Sequence, residues 1–262
     1  VTEQDPLNPQ IPHSARIWNY WLGGKDNYPA DRMAGEAVKE LIPDIDVSAQ
    51  ADRAFLARAV RHVLGAGVNQ FLDIGTGLPS ADNTHEVAQA VDPASRVVYV
   101  DNDPLVLTHA RALLTGIKGS TAYIDADARD PETILRVAAE TLDLGRPVAV
   151  MMLGILNHVL DDAEALSIVE RTMAGVPSGS FLAISHPTAE VHGDAMHASM
   201  AQVMEQGGTP IKARNPAEMT ALFAGLDLVE PGVVSCSRWH PEATPWGPPK
   251  EVAHFCGLAR KP

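Results

Sequence analysis

The stretch Gln70-Phe71-Leu72-Asp73-Ile74-Gly75-Thr76-Gly77 constrains this chain more than any other. An apolar, strand-like run ends in an acid, and two glycines follow at alternate positions. Glycine is needed where backbone takes positive φ or lies against a ligand. A strand entering such a turn at the carboxyl edge of a parallel sheet is where α/β folds hold nucleoside cofactors.

Gly75, Gly77 and Ser80 nearly spell the fingerprint G-x-G-x-x-G/A. Two cofactor classes fit the turn, nicotinamide dinucleotides and S-adenosylmethionine (SAM). Two details disfavour a pyrophosphate. The best helix start is Asn83, with Glu86 completing a capping box, so the glycines open a loop rather than feed a helix N-terminus. Asp73 and Glu86 would also repel a diphosphate. An acid beside the glycines suits a cation, such as the ammonium of an amino-acid tail. Asp73 stands between apolar neighbours, where a carboxylate needs a partner, so a turn that binds nothing is the weaker alternative.

The chain has 262 residues and a mean hydropathy of -0.04, enough for a full core. No apolar run is long enough to span a bilayer, and no secretory pattern is present. With 33 acidic against 20 basic side chains, the net charge of -13 disfavours non-specific nucleic-acid binding. Cys236 and Cys256 form no metal or disulfide pattern. They are expected as reduced, buried neighbours on the last two strands of a cytoplasmic protein.

Residues 1–12 suggest an extended arm. His13 to Asp31 then gathers Trp18, Tyr20, Trp21 and Tyr28 in a chain only 5% aromatic. The rings are expected to anchor an N-terminal helical extension, and the Gly23-Gly24-Lys25-Asp26-Asn27 run suggests a ligand loop or lid. Tyr20, Lys25 and Asn27 therefore join the cofactor set, and Trp18, Tyr20 or Tyr28 is expected against a sulfonium cation. Residues 31–42 form a helix stopped by Pro43. Ser48 caps another to about Leu64, whose arginines face solvent; Arg53 has an alternative reach toward a cofactor carboxylate.

Strands and helices then alternate, which predicts a parallel sheet with right-handed crossovers. Strands are expected at 70–74, 96–100, 120–124, 148–153 and 180–185. Helices are expected at 84–91, from Pro104 to near Gly116, from Pro131 to before Gly145, after Asp161, over 190–206, and from Asn215-Pro216. Leu226 to Cys236 and Val252 to Arg260 close the chain as an antiparallel hairpin around a proline-rich loop.

Polar residues collect after successive strands. Asp101 is placed for ribose hydroxyls, since Asp103 already caps the next helix. Asp127 suits a purine amine, since Asp130 is the better cap. His158 and His186 follow the fourth and fifth strands and are the candidate bases, His158 ahead of His186; a histidine bonding backbone at helix entry is an equal alternative for His158.

This arrangement resembles the class I SAM-dependent methyltransferases through Asp73-Ile74-Gly75-Thr76-Gly77, Asp101, and Asp125-Ala126-Asp127-Ala128. More narrowly, Ala15 to Tyr28 and Gly75 to Glu86 resemble the bacterial family known simply as S-adenosyl methyltransferase. The resemblance implies an α/β, Rossmann-like sheet, mostly parallel with a C-terminal antiparallel strand. It divides the chain into an N-terminal helical extension, 1–66, and a SAM-binding domain, 67–262. It implies SAM as cofactor, held by Asp73, Gly75, Thr76, Gly77, Asp101, Asn102, Asp127 and Ala128, and no metal. His158, His186 and Tyr28 are the candidate catalytic residues. The fourth strand lacks Asp/Asn-Pro-Pro-Tyr/Phe, which together with the acidic charge points to a small-molecule methyl acceptor rather than nucleic acid. A SAM-binding sensor without turnover and a nicotinamide oxidoreductase stay open as alternatives.

Overall fold

The computed structural model describes residues 8–106, 108, 119–243, 245 and 247–262. The start of the proline-spotted arm, all but the opening of the helix expected from Pro104 to Gly116, and two positions of the proline-rich loop lie outside the described residues.

Five parallel strands form one continuous block of the sheet: β1 (Gln70–Ile74), β2 (Arg96–Asp101), β3 (Thr121–Asp125), β4 (Ala149–Leu153) and β5 (Phe181–Pro187). The short β6 (Asp227–Leu228) and β7 (Val234–Ser235) both pair antiparallel with β8 (His254–Arg260), which pairs antiparallel with β5. The order is β3-β2-β1-β4-β5-β8-β6. Chain direction across the sheet reverses between β1 and β4, the position where open α/β sheets leave a crevice. The expected strand at 226–236 is split around Pro231, which has no N–H for a ladder.

Both faces of the sheet are covered, so the strands are almost uniformly apolar. Phe71, Val97, Tyr99, Ala149 and Met151 face one core with Phe55, Val60 and Val63 of α3 (Ile45–Gly65). Leu72, Ile74, Val98, Val150 and Met152 face the other, with Ile134 of α5 (Pro131–Ala138) and Ile168 of α6 (Asp162–Ala174). The capping expectations hold locally. Asn83 N–H donates to Glu86 Oε2 at 2.8 Å ahead of α4 (Thr84–Val91), and Asp161 accepts from Glu164 N–H at 2.8 Å.

Ser48 differs from its expected role. Helix α3 starts a turn earlier because Ile45 and Ala49 both bury. Ser48 therefore sits inside the helix, where its hydroxyl accepts the Ala253 N–H at 3.3 Å and ties α3 to the entry of β8.

Ahead of α3 lie α1 (Ser14–Trp21) and α2 (Pro29–Leu41). A buried ion pair joins them: Arg16 Nε donates to Asp31 Oδ2 at 2.9 Å. Asp31 also accepts from the backbone N–H of His13 at 2.9 Å and of Tyr28 at 2.8 Å. The Arg16 guanidinium lies 5.1 Å from the Tyr28 ring centre. Removing one partner from a buried pair leaves an uncompensated charge. Asp31→Ala is therefore expected to cost about 3–5 kcal/mol, seen as a lower denaturation midpoint with early loss of amide protection in α1 and α2. A change below about 1 kcal/mol would mean that the pair behaves like a surface ion pair.

Candidate functional site

A cavity of about 460 Å³ runs along the carboxyl edge of the sheet beneath α1, within the range of small-molecule sites. Its floor begins at the turn after β1. Gly75 has φ +76°, and a Cβ there would stand 2.5 Å from the Cβ of Ile155 in the loop after β4. Gly77 has φ +64° and open space at its Cβ position. Its N–H donates to Asp101 Oδ2 at 2.9 Å, while Asp101 Oδ1 accepts from Asp103 N–H at 3.0 Å. Asp103 in turn accepts from Leu105 N–H at 2.8 Å at the start of the next helix. At the end of β3, Asp127 accepts from Asn102 Nδ2 at 3.2 Å and from Arg129 N–H at 2.8 Å.

Asp73, Gly75, Thr76, Gly77, Asp101, Asn102, Asp127 and Ala128 all line this cavity. Asp73 is buried and accepts the Thr84 hydroxyl at 2.6 Å. Burial pushes its carboxyl up to about 6, partly offset by the Thr84 hydrogen bond. Asp101 is also raised, again chiefly by burial. Arg53 of α3 reaches the same wall, donating to the carbonyls of Ala81 at 3.1 Å and Asp82 at 2.9 Å. Its Nε is buried with no hydrogen-bond partner among the described residues. The arginine expected on a solvated face therefore borders the cavity.

The N-terminal aromatics divide by helical phase. Trp18 and Trp21 line the cavity with Ser14, Ile17 and Leu22. Tyr20 points away and hydrogen-bonds Glu36. Tyr28 is held against Arg16. Asn27 Nδ2 closes its own loop, donating to Asn19 Oδ1 at 2.9 Å and to the Gly24 carbonyl at 2.9 Å, and Lys25 is exposed. The structure thus does not bring Tyr20, Lys25, Asn27 or Tyr28 to the cavity wall.

The two expected bases also separate. His158 lines the cavity, with a buried Nδ1 that lacks a hydrogen-bond partner among the described residues. Burial lowers its pKa to about 4. His186 is enclosed behind the wall with both nitrogens engaged. Arg214 Nη1 lies 2.8 Å from Nε2, and arginine can only donate, so Nδ1 carries the proton and donates to the Pro187 carbonyl at 3.0 Å. Arg214 also donates to the Leu156 carbonyl at 2.9 Å and the Val159 carbonyl at 2.7 Å, which fixes the loop bearing Asn157 and His158.

Residues that the sequence pattern does not single out complete the wall: Asp52 of α3, His254 of β8, and Met196 and Met200 of α7 (Asp194–Glu205). Asp52 sits on the buried stripe of α3 with Ala49, Phe55 and Leu56, and an acid in that phase is the signal available in the sequence.

The whole chain, residues 1–262, matches the family model described as S-adenosyl methyltransferase. The chain belongs to this family. SAM is accordingly its cofactor, and the buried acids, the glycine turn and the unpartnered Arg53 Nε fit a cationic nucleoside with a zwitterionic tail. A DUF574 family protein of Streptomyces avermitilis is 45% identical, with a TM-score of 0.91 over 97% of this chain and 99% of that one. A Thermobifida fusca protein described as a candidate methyltransferase is 37% identical, with a TM-score of 0.89 over 100% and 99%. The N-methyltransferase NodS of Bradyrhizobium japonicum shares the fold at 14% identity, with a TM-score of 0.51 over 81% and 97%. No curated protein matches the chain. No helix among the described residues is long and apolar enough to cross a membrane.

Burial opposes protonation of His62, His85, His158, His186 and His254, most strongly the last three: His158 is lowered to about 4, and His186 and His254 to about 3. A depressed histidine gives stability that is present above its unfolded pKa of about 6.5 and lost as pH falls toward the folded value. Asp52 and Asp73, raised to about 6, act in the opposite sense as pH falls from 6. Their shifts are smaller and fewer, so urea midpoints are expected to fall steadily from pH 7 to pH 4.5. A constant or rising midpoint over that window would contradict buried neutral histidines.

Proposed function

We propose that this chain transfers a methyl group from SAM to a small-molecule acceptor. One observation carries the reading: groups from three successive strand ends, Asp73, Asp101 and Asp127, converge on a single cavity with a glycine turn that faces open space. In this reading Asp101 holds the ribose hydroxyls. Asp127 with Ala128 faces the purine, and Asp73 with Arg53 takes the ammonium and carboxylate of the tail. A carboxylate and a guanidinium on one wall match both charges of that tail at once.

Bound SAM supplies an electrophilic S-methyl carbon. The chain's own contribution is alignment and exclusion of water. Helix α1 supports this role: Trp18 and Trp21 close the cavity on the side opposite the sheet edge, held there through the buried Arg16–Asp31 pair. The N-terminal segment thus serves as a cover through its tryptophans, with Tyr20 and Tyr28 bracing it from behind. Arg214 positions the His158 loop. The acidic net charge and the cavity's small-molecule size support a small acceptor rather than nucleic acid. The free, buried Cys236 and Cys256 support a reducing, cytoplasmic setting.

Asp101→Ala is expected to weaken SAM binding by about 1–3 kcal/mol, the cost of leaving buried hydroxyls without their partner. Asp103→Ala is expected to cost about 1 kcal/mol of stability for the lost cap, with SAM affinity nearly unchanged. Titration calorimetry with SAM and with NAD, alongside thermal melts, checks both. NAD binding without SAM binding, or the two phenotypes exchanged, would contradict the reading. Production of S-adenosylhomocysteine (SAH) in the presence of a metabolite extract separates turnover from binding alone.

A further inference from the structure

The far end of the cavity, beneath β5 and β8, differs in character from the nucleoside end. Its walls are apolar: Val38, Ile45, Met196 and Ala253 form one buried cluster, with Trp21 and Met200 packed on it. Two buried polar groups interrupt that wall. Asp52, from α3, is 5% exposed and His254, from β8, is 4% exposed. Asp52 Oδ1 and His254 Nε2 are 3.8 Å apart, too far for a hydrogen bond, and His254 Nε2 has no hydrogen-bond partner among the described residues. The Cys236 thiol stands 4.0 Å from Asp52 Oδ1, and the Trp18 ring lies 5.3 Å from the His254 ring. Buried polar groups left this incompletely paired require an account, because desolvating them is costly.

Resting on the methyltransferase reading above, we propose that this end binds the methyl acceptor as a neutral hydroxyl on a flat apolar body, with Asp52 as proton acceptor and His254 as its orienting partner. A hydroxyl is both donor and acceptor. Placed between the two groups, it donates to the carboxylate and accepts from His254 Nε2–H. The apolar wall and the Trp18 ring take the body. An alkylammonium acceptor would bring a second cation next to a sulfonium in a low-dielectric cavity, where like charges repel strongly. A carboxylate acceptor would meet the same repulsion from Asp52.

The step balances within these groups. The acceptor O–H bond breaks and its proton goes to Asp52. The acceptor oxygen forms a bond to the S-methyl carbon as the sulfur–methyl bond breaks, and that electron pair returns to sulfur. The products are a methyl ether, neutral SAH and protonated Asp52. Burial pushes the Asp52 carboxyl up to about 6, with the nearby Ser185 hydroxyl and Arg53 pulling the other way. The groups facing it are Arg53 on α3, Ser185 on β5, Asp73 on β1, Cys236 after β7, and His254 and Cys256 on β8.

The test uses the full chain saturated with SAH, whose binding is measured first. Three probes of one shape follow: 2-naphthol, protonated 2-(aminomethyl)naphthalene and 2-naphthoate. With SAH bound, wild type is expected to bind 2-naphthol at least about ten-fold more tightly than 2-naphthoate, the scale of one hydrogen bond to a buried charged group, and the ammonium probe is expected to bind at least about ten-fold more weakly when SAM, with its sulfonium, replaces SAH. Asp52→Asn is expected to remove the preference for 2-naphthol, and SAH affinity is remeasured for the variant because Arg53 and Asp73, which the reading gives to the cofactor tail, face Asp52. If Asp52→Asn does not fold, as judged by circular dichroism, His254→Phe serves: it removes the N–H that the hydroxyl accepts, so 2-naphthol binding is expected to fall toward that of 2-naphthoate. Absence of SAH binding would defeat the methyltransferase reading itself. With SAH bound, either of two results would overturn the proposal alone: no preference for 2-naphthol in wild type, or a preference that survives both substitutions.

Discussion

At position 75 the backbone passes so close to Ile155 that no side chain fits, and the site follows from that contact. The turn after β1 and the loop after β4 touch there, at the point where the strand order reverses. Beyond it the two loops diverge. One leads past Gly77 to Asp101 and the nucleoside end, and the other leads past Asn157 and His158 toward β5 and β8. Two further braces fix the same geometry from outside. Arg53 holds the carbonyls of Ala81 and Asp82, and Arg214 holds those of Leu156 and Val159. The crevice of an open parallel sheet is thereby given two ends of different chemistry.

Charge follows the same division. The nucleoside end presents Asp73, Asp101 and Asp127 at three neighbouring strand tips. Desolvation raises Asp73 and Asp101, which means that carboxylates stand where water stabilises them poorly. A cationic ligand relieves that cost, whereas a diphosphate increases it. In the proposed placement these acidic groups match a sulfonium cofactor with an ammonium tail. The opposite end sets the Asp52 carboxylate among apolar walls, which in the proposal suits a ligand with little charge of its own.

The strand tips were legible because each carried an acid more than capping required: Asp101 beside Asp103, and Asp127 beside Asp130. The strand positions were legible because both faces of the sheet are buried, leaving uninterrupted apolar runs. What pattern could not show was phase and distance. Four aromatics in α1 and its loop announce a special segment, yet only the helix rotation decides that Trp18 and Trp21 face inward while Tyr20 faces Glu36. His186 follows a strand just as His158 does, but Arg214, distant in sequence, arrives to occupy its free nitrogen. Asp52 and His254 are separated by most of the chain, and neither stands in a motif. Ser48 reads as a cap because serine commonly is one; tertiary packing of Ile45 extended the helix past it.

The central claim is that three strand-end acids and a glycine turn hold SAM in one orientation beneath α1. A crystal structure of the full chain with SAH tests it most directly. The account predicts ribose hydroxyls on Asp101, the adenine beside Asp127 and Ala128, the amino-acid tail between Asp73 and Arg53, and sulfur pointing toward the end that contains Asp52 and His254. A nucleoside bound outside this cavity, or one reversed so that its tail meets Asp127, would contradict it.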